Sequence, residues 1–68
     1  METIQAGQSV LARDAVGDLL VRRAVSGIEF EDGHQIVWLC NETEWAAAAA
    51  EGRDPDAFAW PAEDVQAA

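Results

Sequence analysis

The 68-residue sequence has no lysine and no tyrosine, one cysteine, one histidine, one methionine and two prolines. A single Cys40 forms no internal disulfide, so a reducing cytoplasm is the expected compartment. One histidine and one cysteine supply neither a zinc cluster nor a closed metal site, and no metal or other cofactor is expected. No run of 18 apolar residues exists, which excludes a helical membrane span. Residues 1–5 carry neither a basic nor an apolar stretch, so no secretory signal is expected. Only four arginines oppose 13 acids, for a net charge of -9. A field of that sign repels phosphate backbones and attracts basic partners.

Half of the residues are hydrophobic, but 14 of them are alanine, which leaves few side chains able to fill space. A chain of this size buries about 60% of the surface it exposes when unfolded, so its core is small and its stability marginal. The acidity is uneven. Residues 1–41 carry six acids and three arginines, a net of -3, and residues 42–68 carry seven acids and one arginine, a net of -6.

Alternation of Val10 and Ala12 with Leu11 and Arg13 predicts a first strand after Gly7. Residues 14–18 read as a turn, with Gly17 free to take positive φ. Residues 19–25 give a second strand signal. Ser26-Gly27 interrupts it before Ile28-Glu29-Phe30 resumes, and a glycine there suggests a bulge or the close approach of another segment.

Asp32-Gly33 predicts a two-residue hairpin turn of type I′. Glu31 then faces His34, Phe30 faces Gln35, Ile28 faces Val37 and Gly27 faces Trp38. Opposed residues share a sheet face. Ala24, Ser26, Ile28, Phe30, Val37 and Leu39 form the expected core face. Val25, Gly27, Glu29, Glu31, His34, Ile36, Trp38 and Cys40 form the other.

Asn41 and Glu44 have the spacing of a capping box, and Gly52 followed by Pro55 marks a helix end. Trp45, Ala48 and Ala49 are the stripe expected to dock on the sheet. Residues 53–59 read as a loop. Residues 62–65 predict one 3₁₀ turn with Val65 returning to the core. Four or five short strands and one late helix are too few for a sandwich, and a bent small barrel is the economical closure.

The opening Gly7-Gln8-Ser9-Val10-Leu11-Ala12-Arg13-Asp14 resembles the first strand of SH3-like barrels, Tudor-type modules included. Trp60-Pro61-Ala62-Glu63-Asp64-Val65 resembles their Pro-led 3₁₀ turn before the last strand. Three segments resemble a group of small uncharacterised actinobacterial and actinophage proteins: Arg22-Arg23-Ala24-Val25-Ser26-Gly27, Ile36-Val37-Trp38-Leu39-Cys40 with Glu44-Trp45, and Glu51-Gly52-Arg53 with the ending. Together the resemblance covers residues 7–65. It implies a mainly β fold, an SH3-like barrel of about five short strands with one α-helix inserted before the last strand. Residues 1–6 and 66–68 are expected to be frayed, flanking a single domain over 7–65. The helix departs from an ordinary SH3 domain. The paired aromatics of the proline-ligand groove have no counterpart, which counts against a PxxP ligand.

Catalysis is not expected. His34 and Cys40, the one nucleophile–base pair, sit on one strand face about 20 Å apart. The carboxylate pairs Glu29/Glu31, Glu42/Glu44 and Glu63/Asp64 fall at rims and caps, with no pocket to split their pKa values. Asp54 and Asp56 lack the spacing of a calcium loop. Arg22 and Arg23 point to opposite faces, with Glu29, Glu31 or Asp18 as expected partners. Trp38, Trp45 and Trp60 either fill the small core or line a partner groove with an exposed indole N–H, Trp38 or Trp60 being the candidates.

The function expected is a non-catalytic acidic protein-interaction module, with Trp38, Trp60, Glu29, Glu31 and Ile36 as partner-binding residues. The expected partner is a protein or peptide of basic character, with no direct nucleic-acid or membrane binding. The resemblance implies an accessory protein of a phage or mobile element acting on a host protein. The alternative is a nucleic-acid mimic or a regulator of a nucleic-acid-handling enzyme.

Overall fold

The computed structural model describes residues 3–68. Its elements are β1 (Ser9–Arg13), β2 (Leu19–Ala24), β3 (Glu29–Glu31), β4 (His34–Cys40), α1 (Glu42–Glu51), β5 (Phe58–Pro61) and β6 (Val65–Ala67), with a 3₁₀ turn at Ala62–Asp64 between the last two strands. The fold is mainly β, as expected, and all pairings are antiparallel. β4 carries β5 along one side; β2 and β3 follow each other along the opposite side. β1 then pairs β2, and β6 pairs β1. The order β6-β1-β2/β3-β4-β5 curls into a half-barrel of SH3-like form. Two differences from expectation are small. β2 and β3 are one strand broken in two, giving six, and the helix precedes the last two strands rather than the last one.

Asp32 and Gly33 both have positive φ, 53° and 78°, and Glu31 faces His34 as predicted. That hairpin register reaches only Glu29 opposite Ile36. Further along, Ala24 faces Leu39 and Arg23 faces Cys40. Two residues of β4 (Val37 and Trp38) therefore lie opposite four on the other strand, residues 25–28. Val25 N–H donates to the Trp38 carbonyl at 2.7 Å, so Val25, and not Gly27, faces Trp38. Ser26 fills the gap in the ladder, its Oγ accepting from Trp38 N–H at 3.2 Å. The bulge also meets the N-terminal segment. A Cβ on Gly27 would stand 3.0 Å from the Ile4 carbonyl oxygen.

A slip of two residues leaves face parity intact, so Ala24, Val37 and Leu39 are buried as expected. They join Ile4, Val10, Ala12 and Val65, with Trp60 and Ala62 packed against the cluster. Ile28 and Phe30 belong to the expected core face but are 38% and 75% exposed, because the short β3 runs past the end of the cluster. Cys40 lies on the opposite face and is nonetheless buried, where β4 turns into α1. Outside the expected domain bounds of 7–65, Ile4 lies in the core cluster and Gln66 and Ala67 pair with β1. Residues 1 and 2 of the expected frayed stretch lie outside the described residues.

Asn41 Oδ1 accepts from Glu44 N–H at 2.7 Å, the predicted N-cap. The capping box is not reciprocal, because the Glu44 carboxylate turns to Arg53 and to Asp56 N–H. Gly52, at φ 68°, closes the helix, with its N–H bonded to Ala49 and that of Arg53 to Ala48. Ala48 is buried and Ala47 half-buried, whereas Ala49 is exposed. Trp45 lies against Gly7 and over the Arg23 guanidinium, 5.5 Å from the ring centroid. It therefore covers the start of the domain and β2. Residues 58 and 59, expected in a loop, belong to β5.

Candidate functional site

An open depression of about 780 Å³ lies between the β3–β4 hairpin tip and the end of β5. Phe30, Ile36, Trp60 and Pro61 supply its apolar lining, and Glu31, Asp32 and Glu63 its acids. The I′ turn holds Asp32 between Glu31 and His34. The 3₁₀ turn after Pro61 carries Glu63 to the opposite rim. Phe30, paired with Gln35 near the hairpin tip, is exposed because it lies beyond the core cluster.

Three of the five expected partner-binding residues, Glu31, Ile36 and Trp60, come together here. Trp38 and Glu29 are instead joined to each other, the Trp38 indole N–H donating to Glu29 Oε1 at 3.2 Å. Trp60 Nε1–H donates to the Arg13 carbonyl at 3.0 Å, across 47 residues of chain. Both indole N–H groups are thus hydrogen-bonded within the chain. Trp60 ties β5 to the end of β1 and offers only its half-buried ring to the depression. Phe30, Asp32, Pro61 and Glu63 are among the lining residues that sequence reasoning missed. The position of Phe30 two residues before Asp32-Gly33, at a hairpin tip, was the available signal.

The acids differ in their partners. Those outside the depression with bonds of their own hold structure together. Glu42 takes both Arg23 bonds, at 3.0 and 2.8 Å, and this pairing keeps its carboxyl below the usual range. Glu44 is lowered by Arg53 and then by Asp56 N–H, and Glu51 also binds Arg53. Asp14 Oδ1 accepts from the N–H groups of Val16 and Asp18 in the first turn. By contrast, the carboxylates of Glu31, Asp32 and Glu63 make no hydrogen bond or ion pair among the described residues, and neither do those of Asp18, Asp54, Asp56 and Asp64 outside the depression.

The arginines are likewise placed elsewhere. Arg23 and Arg53 are ion-paired, with pKa values raised chiefly by Glu42 and Glu44. Arg23 does not take the Glu29, Glu31 or Asp18 partners expected of it. Arg22 bonds the Val21 carbonyl and Arg13 the Gly17 carbonyl. No arginine among the described residues lines the depression.

His34 lines the depression, whereas Cys40 is buried at the far end of β4. Burial raises the Cys40 thiol pKa, with Glu44 and Glu42 adding to the shift, so the thiolate is disfavoured. Among the described residues no three His, Cys, Asp or Glu side chains are placed to hold a metal, and no helix is long and apolar enough to cross a membrane. No protein-family model, curated protein or solved structure matches the chain.

Proposed function

We propose that the protein is a non-catalytic interaction module that binds a basic protein segment in the depression between the hairpin tip and β5. The observation that carries this reading is the pairing of three unpartnered carboxylates with the exposed Phe30 ring and the Trp60–Pro61 surface. A basic segment meets two kinds of contact there: charge from Glu31, Asp32 and Glu63, and, on the opposite face of β3 from Glu31, the Phe30 ring for cation–π attraction. A nucleic-acid mimic needs its free carboxylates in a row at phosphate spacing. Here three of them share a hollow with Phe30 and Trp60, and Glu29 is already bonded to Trp38, which favours a peptide. The unpaired, buried Cys40 fits a reducing cytoplasm. Under the resemblance to the actinophage proteins, the partner is a host protein and this chain an accessory product of a phage or mobile element.

The test is fluorescence anisotropy with a labelled hexapeptide of alternating arginine and valine. Binding is expected at low ionic strength and weakens with added salt. Glu31→Gln with Glu63→Gln should weaken it about threefold to tenfold. Equal binding of a glutamate–valine peptide, or no binding of the arginine peptide, overturns the reading.

A further inference from the structure

His34 is the one histidine of the chain, and it lines the depression. The I′ turn sets it directly opposite Glu31, so the two exposed side chains stand on one face of the hairpin with Cβ atoms about 5 Å apart. No hydrogen bond or ion pair joins them, and the imidazole has no partner among the described residues. Glu29, the next acid on that face of β3, is held by the Trp38 indole, which leaves Glu31 as the carboxylate within reach. The hairpin turn adds Asp32 and the 3₁₀ turn adds Glu63, while β5 brings only Ala59, Trp60 and Pro61. With no arginine in the lining, His34 is the only lining group able to become a cation. Histidine gains its charge between about pH 8 and 5, where solvated carboxylates stay largely ionised. The Cys40 thiol, raised by burial, stays protonated over that range and lies at the far end of β4.

We propose, resting on the interaction reading above, that His34 is a proton-operated competitor inside the binding depression. The neutral imidazole leaves Glu31, Asp32 and Glu63 to the basic segment. The protonated imidazole pairs with Glu31 and repels the cations of the segment, so binding weakens as pH falls and the segment is released by acid. The coupling is mutual, because a bound cation disfavours the imidazolium by the same factor. His34 and Glu31 are both exposed, and solvent screening holds that factor to about threefold.

The experiment measures anisotropy of the labelled arginine–valine hexapeptide at about pH 7.5 and about pH 5.5, on either side of the histidine range, with the parent protein and with His34→Gln. The parent should bind about threefold more weakly at the lower pH, and His34→Gln should bind alike at both. The imidazole proton resonances, unambiguous in a chain with one histidine, give a second readout. In the parent saturated with peptide they should titrate about half a pH unit lower than in the free protein. Equal or tighter binding by the parent at the lower pH, a His34→Gln variant that keeps the parent's dependence, or an imidazole titration unmoved by peptide overturns the competitor while the interaction module stands. If the peptide binds the parent at neither pH, both readings fall.

Discussion

Replacing Trp60 with phenylalanine removes a side-chain bond that joins β5 to β1. The lost Nε1–H···O bond to Arg13, 3.0 Å long, is worth about 1 kcal/mol. The carbonyl left behind lies at the surface and can take water, so no unpaired-group penalty is added. Trp60 is half-buried against the core cluster, and trimming indole to phenyl costs about 0.5 kcal/mol more in lost contact. The sum, about 1.5 kcal/mol, lowers the melting temperature of a domain this small by roughly 6–12 °C. Thermal unfolding followed by circular dichroism measures it. Peptide binding should persist in the folded variant, because an aromatic ring still faces the depression. A melting temperature within about 2 °C of the parent would show that the indole does not close the half-barrel.

Gly27→Ala should lower stability by about 1 kcal/mol, because its Cβ meets the Ile4 carbonyl oxygen at 3.0 Å; urea denaturation shows whether Ile4 yields at no cost. Asn41→Ala removes the helix cap and should cost about 1 kcal/mol in the same assay. Glu42 and Glu44 have folded-state pKa values below the ordinary 4.5, so their stabilisation is present above that value and is lost as pH falls through the lowered ones. An acid titration of Glu44→Gln should therefore show a shallower loss of stability below about pH 4.5 than the parent does, and parallel curves would contradict the Arg53 pairing.

The elements governed by local chemistry were legible in the sequence. Asp32-Gly33 needs two left-handed residues in succession, and few other dipeptides tolerate that. Asn41 and Gly52 mark the helix ends for equally local reasons. The two extra residues at the Ser26-Gly27 bulge were not legible, because an even slip leaves every side chain on its own face. Ile4 stands alone among polar neighbours and offers no period to read. Strand β5 follows Pro55 and has alanines where an alternating pattern would show. The site was half legible for the same reason. Glu31, Ile36 and Trp60 could be placed on the hairpin and the ending, but the bonds Trp38–Glu29 and Trp60–Arg13 depend on how the sheet curls.

The most direct measurement is a chemical-shift titration of the isotopically labelled protein with the arginine–valine peptide. Saturable shifts confined to Phe30, Glu31, His34, Gln35, Ala59, Trp60 and Glu63 are the predicted result. Shifts centred instead on Arg23, Trp45 and the outer face of β1 and β2, or none at any peptide concentration, would contradict it.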